Sequence, residues 1–409
     1  MTSEPFVARA VAAADVYKGD RLAGRLEREA QAVVFRYDPA HLAGGGEAIS
    51  FQIPRDAGEV RAYGGSVPPF FAGLLPEGAR LGALVARVKT SADDMLSLLV
   101  AVGADTVGDV RVVPAGIDPA QARPLVEVSD WESADFDELF ALSVSTDPQR
   151  AELHAIPGAQ EKVSAAVIAF PVTAPGAPQI LKLTPPAFPR LVENESFFLH
   201  MAADCGLECA RSELVHDRNG RSGLLVERFD RVPQPDGGVR RLHQEDGCQM
   251  CDAFPADKYR LRLVRIAEQV QRFATARPLA LRDLVRLVAF STLIGNEDLH
   301  AKNISLYRNA AGVVTLTPAY DLLTTLPYAL RHEMALDVEG RTNRIRRQHI
   351  LAFAQRIGAP MRAVERSLDE MYERSAPWLE RLGEIGFDER RTAHLRRQIA
   401  QRRADLVRR

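Results

Sequence analysis

The sequence predicts an α+β fold built from several units. Short runs of alternating apolar and polar residues between 13 and 55 predict strands, and a long apolar stripe after Pro278 predicts a buried helix. Between them, an apolar strand carries one lysine, Lys182, and precedes a helical stretch. At 409 residues, the chain is long enough for two or three lobes with cores of their own.

Composition excludes several classes of protein. A hydrophobic content of 46% and a charged content of 26% are those of an ordinary globular protein. The formal net charge of −2 gives no overall attraction to nucleic acid or membranes. No apolar run approaches the roughly 18 residues that a bilayer-spanning helix needs. The beginning of the chain lacks the basic and apolar regions of a secretory signal, so we expect no membrane partner and a cytoplasmic location.

The first predicted unit, residues 1–120, is an N-terminal subdomain of strands and helices. Its β-rich beginning is followed by a helical stretch from about Phe70 to Ala101, and residues 107–113 return to a strand pattern. Residues 114–119 are rich in Pro, Gly and Asp and have the composition of a linker.

The second predicted unit, residues 121–232, contains a Gly-containing polar turn followed by the lysine strand 179–183. Burying an unpaired ammonium is costly, so Lys182 needs a partner, either a phosphate group or Glu195 at the start of the next helix. The alternative is an edge-strand lysine whose ammonium reaches solvent. Residues 211–215 and 221–229 then predict a hairpin across an Asp-Arg-Asn-Gly turn.

The third predicted unit, residues 233–409, contains the most informative motif. The helix after Pro278 is expected to end at Gly295, and a polar loop with Asp298 and Asn303 follows. Residues 304–307 and 313–317 predict two short strands, after which comes Asp321. Helix, polar loop, hairpin and aspartate follow one another in the order of a protein-kinase C-lobe.

The spacing of Asp298 and Asn303 fits phosphoryl transfer. This chemistry needs a carboxylate that orients the attacking hydroxyl and oxygen ligands that hold Mg²⁺ against the phosphates. Asp298 suits the first task, and Asn303 with Asp321 suits the second. The spacing alone is weak evidence, because Asp and Asn are common in turns. Its place after a lysine strand and a glutamate-bearing helix predicts a two-lobed, protein-kinase-like fold.

The four cysteines leave two interpretations. Cys205 and Cys209 form one short-spaced pair, and Cys248 and Cys251 form another. Zinc binding is one interpretation, but no histidine flanks either pair at ligand spacing. We therefore favour free thiols, mostly buried.

Several of these segments together resemble the HipA family, the kinase toxins of bacterial type II toxin–antitoxin pairs. The resemblance covers nearly the whole chain and is carried by residues 70–76, 94–113, 158–162, 180–183, 226–231, 244–249, 300–303 and 320–321. It implies a kinase-like fold with an extra β-rich N-terminal subdomain and an all-helical C-lobe.

The resemblance also implies roles for individual residues. Asp298 would be the catalytic base, and Asn303 and Asp321 would bind Mg²⁺. The residues implied to bind ATP are Pro157, Gly158, Ala159, Gln160, Glu161 and Lys162 in a loop over the phosphates, Lys182, the hinge residues Glu227, Arg228 and Phe229, and His300, Ala301, Lys302, Asn303, Tyr320 and Asp321.

The partners that the resemblance implies are macromolecular. Family members phosphorylate a serine on a translation protein, such as an aminoacyl-tRNA synthetase, and thereby arrest growth. A HipB-like helix-turn-helix antitoxin neutralises them, and the complex binds its own operator DNA. In the family, a serine three residues before the loop glycine is autophosphorylated and silences the kinase. Here that position is Ala155, which has no hydroxyl to accept phosphate.

Two further questions stay open at the level of sequence. Arginines cluster at 341–347 and recur in pairs from 390 to 409. They form either a solvated helix face or a surface for operator phosphates. The principal alternative to a kinase toxin is a catalytically silent corepressor that binds antitoxin and operator DNA. A kinase of the same fold acting on a small alcohol is a third hypothesis.

Overall fold

The structure, a computed structural model, describes residues 11–119, 133–144, 168–174, 177–184, 188–328 and 333–407. Its helices and antiparallel sheets confirm the predicted α+β class. The predicted phosphate loop, 157–162, and Ala155 lie outside the described residues. None of the helices in the described part of the chain has the length and apolar character that crossing a bilayer requires.

The N-terminal subdomain is a five-stranded antiparallel sheet covered by helices. Its strands are β1 Ala13–Lys18, β2 Arg21–Arg28, β3 Ala32–Tyr37, β4 Glu59–Tyr63 and β5 Val110–Pro114, in the order β4-β3-β2-β1-β5. Its helices are α1 Pro39–Ala43, α2 Pro69–Ala72, α3 Gly78–Val88 and α4 Met95–Val102. Phe35 of the sheet packs against Phe71 of α2, with their ring centroids 5.3 Å apart. This core places the turn after α2 on the side that meets the rest of the molecule.

A four-stranded antiparallel sheet carries the lysine strand. Its elements are α5 Phe136–Val144, β6 Ile168–Ala174, β7 Ala177–Leu183, α6 Leu191–Asp204, β8 Ser212–His216 and β9 Ser222–Glu227, with strand order β6-β7-β9-β8. The predicted hairpin is confirmed as β8 and β9. Strand β7 pairs on both sides, so the edge-strand alternative for Lys182 is wrong. Helix α6 begins at Leu191, which puts Glu195 on its second turn.

The C-lobe is mainly helical. Its elements are β10 Arg231–Pro233, β11 Val239–Arg241, β12 Gln244–Asp246, α7 Gly247–Met250, α8 Leu263–Phe273, α9 Arg277–Ile294, β13 Ser305–Arg308, β14 Val314–Leu316, α10 Arg347–Arg356, α11 Met361–Ser375, α12 Trp378–Arg381 and α13 Glu389–Asp405. Strands β12, β13 and β14 form a small sheet, so the prediction that the C-lobe is all-helical is wrong. The Gln-Glu-Asp sequence of β12 has no apolar alternation that could have revealed a strand.

Helix α9 positions the polar loop. Its apolar residues Leu281, Leu284 and Val288 are buried, and it ends as predicted at Gly295. Gly295 has φ +68°, a left-handed conformation that glycine adopts without a Cβ clash. The predicted strands that follow are confirmed as β13 and β14. The predicted subdomain boundaries near 120 and 232 stay predictions.

The four cysteines are free thiols. Cys205, Cys248 and Cys251 are buried and Cys209 is half-buried, in line with the preferred prediction. Burial raises the pKa of Cys205 and Cys209 to about 12, so both remain protonated at neutral pH. The described residues contain no group of three or more His, Cys, Asp or Glu side chains placed to hold a metal ion.

Candidate active site

Asp298 lies buried in the loop that follows α9, with 4% of its surface exposed. The Tyr259 hydroxyl donates a hydrogen bond to Asp298 Oδ1 at 3.0 Å, and the Asp298 backbone N–H donates to Asn296 Oδ1 at 3.3 Å. The first contact orients the carboxylate, and the second holds the backbone of Asp298. Burial, with the Asp298 carboxylate as the next cause, raises the pKa of Tyr259 above its usual range, so Tyr259 remains a hydrogen-bond donor.

Asn303 and Asp321 lie together, although 18 residues separate them. Asn303 Nδ2 donates to Asp321 Oδ2 at 2.8 Å, and Asn303 Oδ1 accepts from the His300 N–H at 3.1 Å. The backbone of Asp321 adopts φ +57°, which is uncommon for a residue other than glycine. Its N–H donates to Glu195 Oε1 at 3.2 Å, which supports this strained conformation. Strain of this kind is concentrated at functional sites.

Lys182 joins the lysine strand to this pair. Its ammonium donates to Glu195 Oε1 at 2.6 Å and to Asp321 Oδ1 at 3.2 Å, so the predicted partner Glu195 is confirmed. Burial lowers the pKa of Lys182, but the two carboxylates outweigh burial and raise it above its ordinary value. Burial and the Asp321 carboxylate raise the pKa of Glu195, against the opposing effect of Lys182.

The donor set suits a magnesium ion. Asp321 and Asn303 offer a carboxylate and an amide oxygen, and Mg²⁺ commonly takes one or two protein ligands together with water and substrate phosphates. Asn303 turns Nδ2 rather than Oδ1 toward Asp321. Its amide would therefore have to rotate before its oxygen and Asp321 could hold a cation together.

The predicted hinge residues serve different partners. The Glu227 N–H donates to the Arg211 carbonyl at 2.8 Å, and the Arg228 N–H donates to the Pro178 carbonyl at 3.0 Å. The Arg228 guanidinium is buried against Asp105 of the N-terminal subdomain. Any contact between this segment and adenine would therefore involve the backbone or Phe229 rather than the Arg228 side chain.

Phe229 and Tyr320 are half-buried, while residues 300–303 pack inside the protein. Phe229 lies 5.9 Å from Tyr320 between ring centroids, and the Tyr320 hydroxyl donates to the Lys302 carbonyl at 2.7 Å. The Lys302 ammonium is buried against Asp246 at 3.0 Å. Ala301 is fully buried, and the His300 ring packs edge-on against Tyr259. These side chains support the loop, and their predicted contact with ATP stays a prediction.

Sequence reasoning missed several residues of the site. Tyr259 holds Asp298, while Glu77 and Asp246 surround Lys302. Tyr259 lies 39 positions from Asp298, and Glu77 lies in the N-terminal subdomain. No local periodicity or spacing could have indicated such partners. The segments 70–76, just before Glu77, and 244–249, which contains Asp246, carried the only signal, as parts of the family resemblance.

The arginine clusters are divided between two environments. Arg402 pairs with Glu297 at 3.0 Å, and the Arg403 guanidinium lies 3.6 Å from the centre of the Tyr372 ring. These two arginines anchor α13, a role that neither interpretation of the sequence included. The exposed basic residues of α13 line a cavity of about 490 Å³ with Leu326 and Pro327; they are Arg390, Arg391, His394 and Arg397.

Comparison with known families identifies both parts of the chain. Residues 14–113 match the HipA N-terminal domain, and residues 154–379 match the HipA-like C-terminal domain. The chain belongs to the HipA family. The protein Y4mE of Sinorhizobium fredii is 32% identical over 365 residues, which cover 83% of this chain and 85% of that protein.

Two further comparisons agree with this assignment. The serine/threonine-protein kinase toxin HipA of Shewanella oneidensis is 26% identical over 375 residues, covering 85% of this chain and 83% of that protein. The solved complex of Shewanella oneidensis HipA, HipB and operator DNA superposes with a TM-score of 0.77 at 22% identity, covering 96% of this chain and 97% of that one. The HipA-type kinase fold thus extends over nearly the whole chain.

Proposed function

We propose that this protein is an ATP- and Mg²⁺-dependent serine/threonine protein kinase that acts as the toxin of a type II toxin–antitoxin pair. One observation supports this above all: Lys182 bridges Glu195 and Asp321, while Asn303 contacts Asp321 in the same site. Lysine strand, glutamate helix, amide and aspartate form the constellation that phosphoryl transfer uses.

Each residue of the site would do one task. Asp298, oriented by Tyr259, would align the acceptor hydroxyl and accept its proton. As the new bond between this oxygen and the γ-phosphorus forms, the bond from the γ-phosphorus to the β,γ-bridging oxygen would break and ADP would leave. Lys182 would contact the phosphates, and Asn303 and Asp321 would hold Mg²⁺. When bound, Mg²⁺ neutralises phosphate charge. The loop 157–162 would cover the phosphates, and the backbone of 227–229 would lie beside adenine.

We assign a protein of translation, such as an aminoacyl-tRNA synthetase, as the substrate class. The support is membership in a family with the toxin HipA of Shewanella oneidensis among its members. Phosphorylation of such a protein would arrest growth. Ala155 offers no hydroxyl, so the self-silencing step known for the family would be missing at this position.

A HipB-like antitoxin and operator DNA are the partners we propose. The HipA of Shewanella oneidensis was solved with HipB and its operator DNA. Exposed arginines on the segment before α10 would contact operator phosphates, with a salt-dependent affinity that does not depend on base sequence. Arg341, Arg344 and Arg346 are exposed and are suited to this role.

The first prediction tests catalysis at Asp298. The chain is incubated with ATP labelled on its γ-phosphate and a bacterial lysate, and labelled products are separated by size. Asp298→Asn should reduce labelling of protein by at least about a hundredfold, because it removes the general base. Binding of a fluorescent ATP analogue should persist.

Asp20→Asn is the matched control, because the Asp20 side chain is 96% exposed and pairs with Arg111 in the N-terminal subdomain. Transfer by Asp298→Asn at the wild-type rate would overturn the assignment of the base. Label appearing only in small molecules would indicate a small-alcohol acceptor. Nucleotide binding without transfer by the wild type would indicate the silent corepressor.

A further inference from the structure

A buried carboxylate of the N-terminal subdomain reaches the catalytic loop. Glu77 stands at the start of α3, and its Oε2 accepts a hydrogen bond from Lys258 Nζ at 2.5 Å. Its Oε1 lies 3.5 Å from Lys302 Nζ. The carbonyl of Gly73, in the same turn, accepts from Lys302 Nζ at 3.2 Å. A single turn of the N-terminal subdomain therefore contacts two lysines of the C-lobe.

Each of these lysines is adjacent to a residue that holds the site together. Lys258 precedes Tyr259, whose hydroxyl donates to Asp298. The Lys258 carbonyl also accepts from the Ala301 N–H at 3.1 Å, inside the catalytic loop. Lys302 precedes Asn303, the partner of Asp321. Glu77 thus links the segment that orients Asp298 to the segment that contains Asn303.

Charge and burial make this link selective. Glu77, Lys258, Lys302 and Asp246 are each less than 9% exposed, and they form a balanced group of two cations and two anions. Lys302 Nζ lies 3.0 Å from Asp246 Oδ2 and 3.5 Å from Glu77 Oε1, so two carboxylates balance its buried charge. Removing the charge of Glu77 would take this carboxylate from the buried Lys258 and leave Lys302 with Asp246, which is costly.

The geometry points to Glu77 as a positioning residue through which the N-terminal subdomain holds the catalytic loop in its active arrangement. This inference rests on the proposed kinase function. Glu77 does not touch the reacting groups and acts through Lys258 and Lys302. A shift of the turn 73–77 would therefore be transmitted to Asp298 and Asn303 together.

The second prediction is that Glu77→Gln lowers kcat for phosphate transfer roughly ten- to hundredfold, because small misplacements of catalytic groups cost this much. The KM for ATP should change by a smaller factor than kcat, because Asn303 shifts with the loop while Lys182 and Glu195 are untouched. Glu77→Asp keeps the charge and should recover part of kcat. Steady-state kinetics with labelled ATP give both constants.

Asp109→Asn is the matched control. Asp109 is also a buried carboxylate at the boundary with the C-lobe, where it binds Lys18 at 2.9 Å and His243 at 3.3 Å, but it does not contact the loop 298–303. An equal loss of kcat in Glu77→Gln and Asp109→Asn would mean that any weakened docking of the N-terminal subdomain lowers kcat, and that Glu77 has no particular role. Unchanged kcat in Glu77→Gln would overturn the inference.

Hydrogen–deuterium exchange separates this inference from the proposed function. Glu77→Gln should accelerate exchange in the peptide that contains residues 298–303, while Asp109→Asn should leave that peptide as in the wild type. This measurement needs no activity. If the wild type transfers no phosphate but Glu77→Gln still loosens the loop, the proposed function fails and the positioning role stands. If exchange in this peptide is equally slow in the wild type and in Glu77→Gln, the positioning role fails.

Discussion

At the scale of single residues, the Asp298 carboxylate accepts a hydrogen bond that comes from outside its own loop. The Tyr259 hydroxyl reaches it from the segment after the short 3-10 turn Pro255–Asp257. Hydrogen bonds to charged groups contribute more than neutral ones, about 1.5–3 kcal/mol. Tyr259 therefore helps to orient the Asp298 carboxylate.

The third prediction concerns this hydroxyl. Tyr259→Phe should lower kcat about tenfold, because the Asp298 carboxylate loses the donor that orients it. The KM for ATP should stay the same. Tyr63→Phe, at a residue that is 68% exposed, is the control and should keep the wild-type kcat. An unaffected kcat in Tyr259→Phe would show that the rest of the loop orients Asp298.

At the scale of elements, helix α13 supports the catalytic loop from the opposite side. Arg402 donates to Glu297 Oε1 at 3.0 Å, and Glu297 immediately precedes Asp298. Burial raises the pKa of Glu297 from its ordinary value of 4.5 to about 7, and Arg402 only partly opposes this effect. Burial therefore makes the ionised form of Glu297, next to Asp298, energetically costly.

The fourth prediction follows from the sign of this shift. Folded Glu297 binds its proton more tightly than the unfolded chain does, so the free energy of unfolding falls as pH rises from 4.5 to about 7. The full effect is at most about 3 kcal/mol. Glu297→Gln should flatten this decline, and its stability relative to the wild type should be greater at pH near 8 than near 5.

Thermal or denaturant unfolding across this pH range tests the prediction. Glu384→Gln is the control, because Glu384 pairs with Arg381 on the surface and its side chain is 54% exposed. Removing this surface carboxylate should leave the decline of the free energy of unfolding with pH as it is in the wild type. Parallel pH profiles for the wild type and Glu297→Gln would contradict the assignment of the shift to Glu297.

At the scale of the whole molecule, a buried charge network joins the N-terminal subdomain to the segment 228–241. Asp105 accepts from Arg228, Arg231 and Arg241 at 3.1, 2.9 and 2.8 Å. Burial raises the pKa of Asp105, but the three guanidinium groups outweigh burial and hold it well below its usual range. Asp230 pairs with Arg228 and Arg231 from the other side. The boundary between subdomains is therefore ionic as well as apolar.

The fifth prediction is that Asp105→Asn lowers the free energy of unfolding by about 3 kcal/mol, because it leaves buried arginines short of one carboxylate. Glu370→Gln also removes a carboxylate paired with an arginine, Arg366, but both side chains are exposed, so it should cost less than about 1 kcal/mol. Denaturant unfolding compares the two variants. Equal losses would mean that burial does not strengthen the Asp105 contacts.

Much of the fold was predictable where the signal is local. The hairpin of β8 and β9, the end of α9 at Gly295 and the pairing of Lys182 with Glu195 depend on nearby residues, and all three are confirmed. The small sheet of β12 to β14 was only partly predicted. Strand β12 is held by backbone pairing to a distant strand, and backbone pairing leaves no pattern in side chains.

The sequence by itself determined the family, the α+β class and the set of polar residues suited to phosphoryl transfer, because these follow from periodicity, spacing and motifs along the chain. Only the tertiary structure decided which other residues orient these polar side chains. Tyr259 reaches Asp298, and Glu77 reaches Lys258 across 181 positions. Such contacts depend on which surfaces the cores bring together, and local patterns carry no record of them.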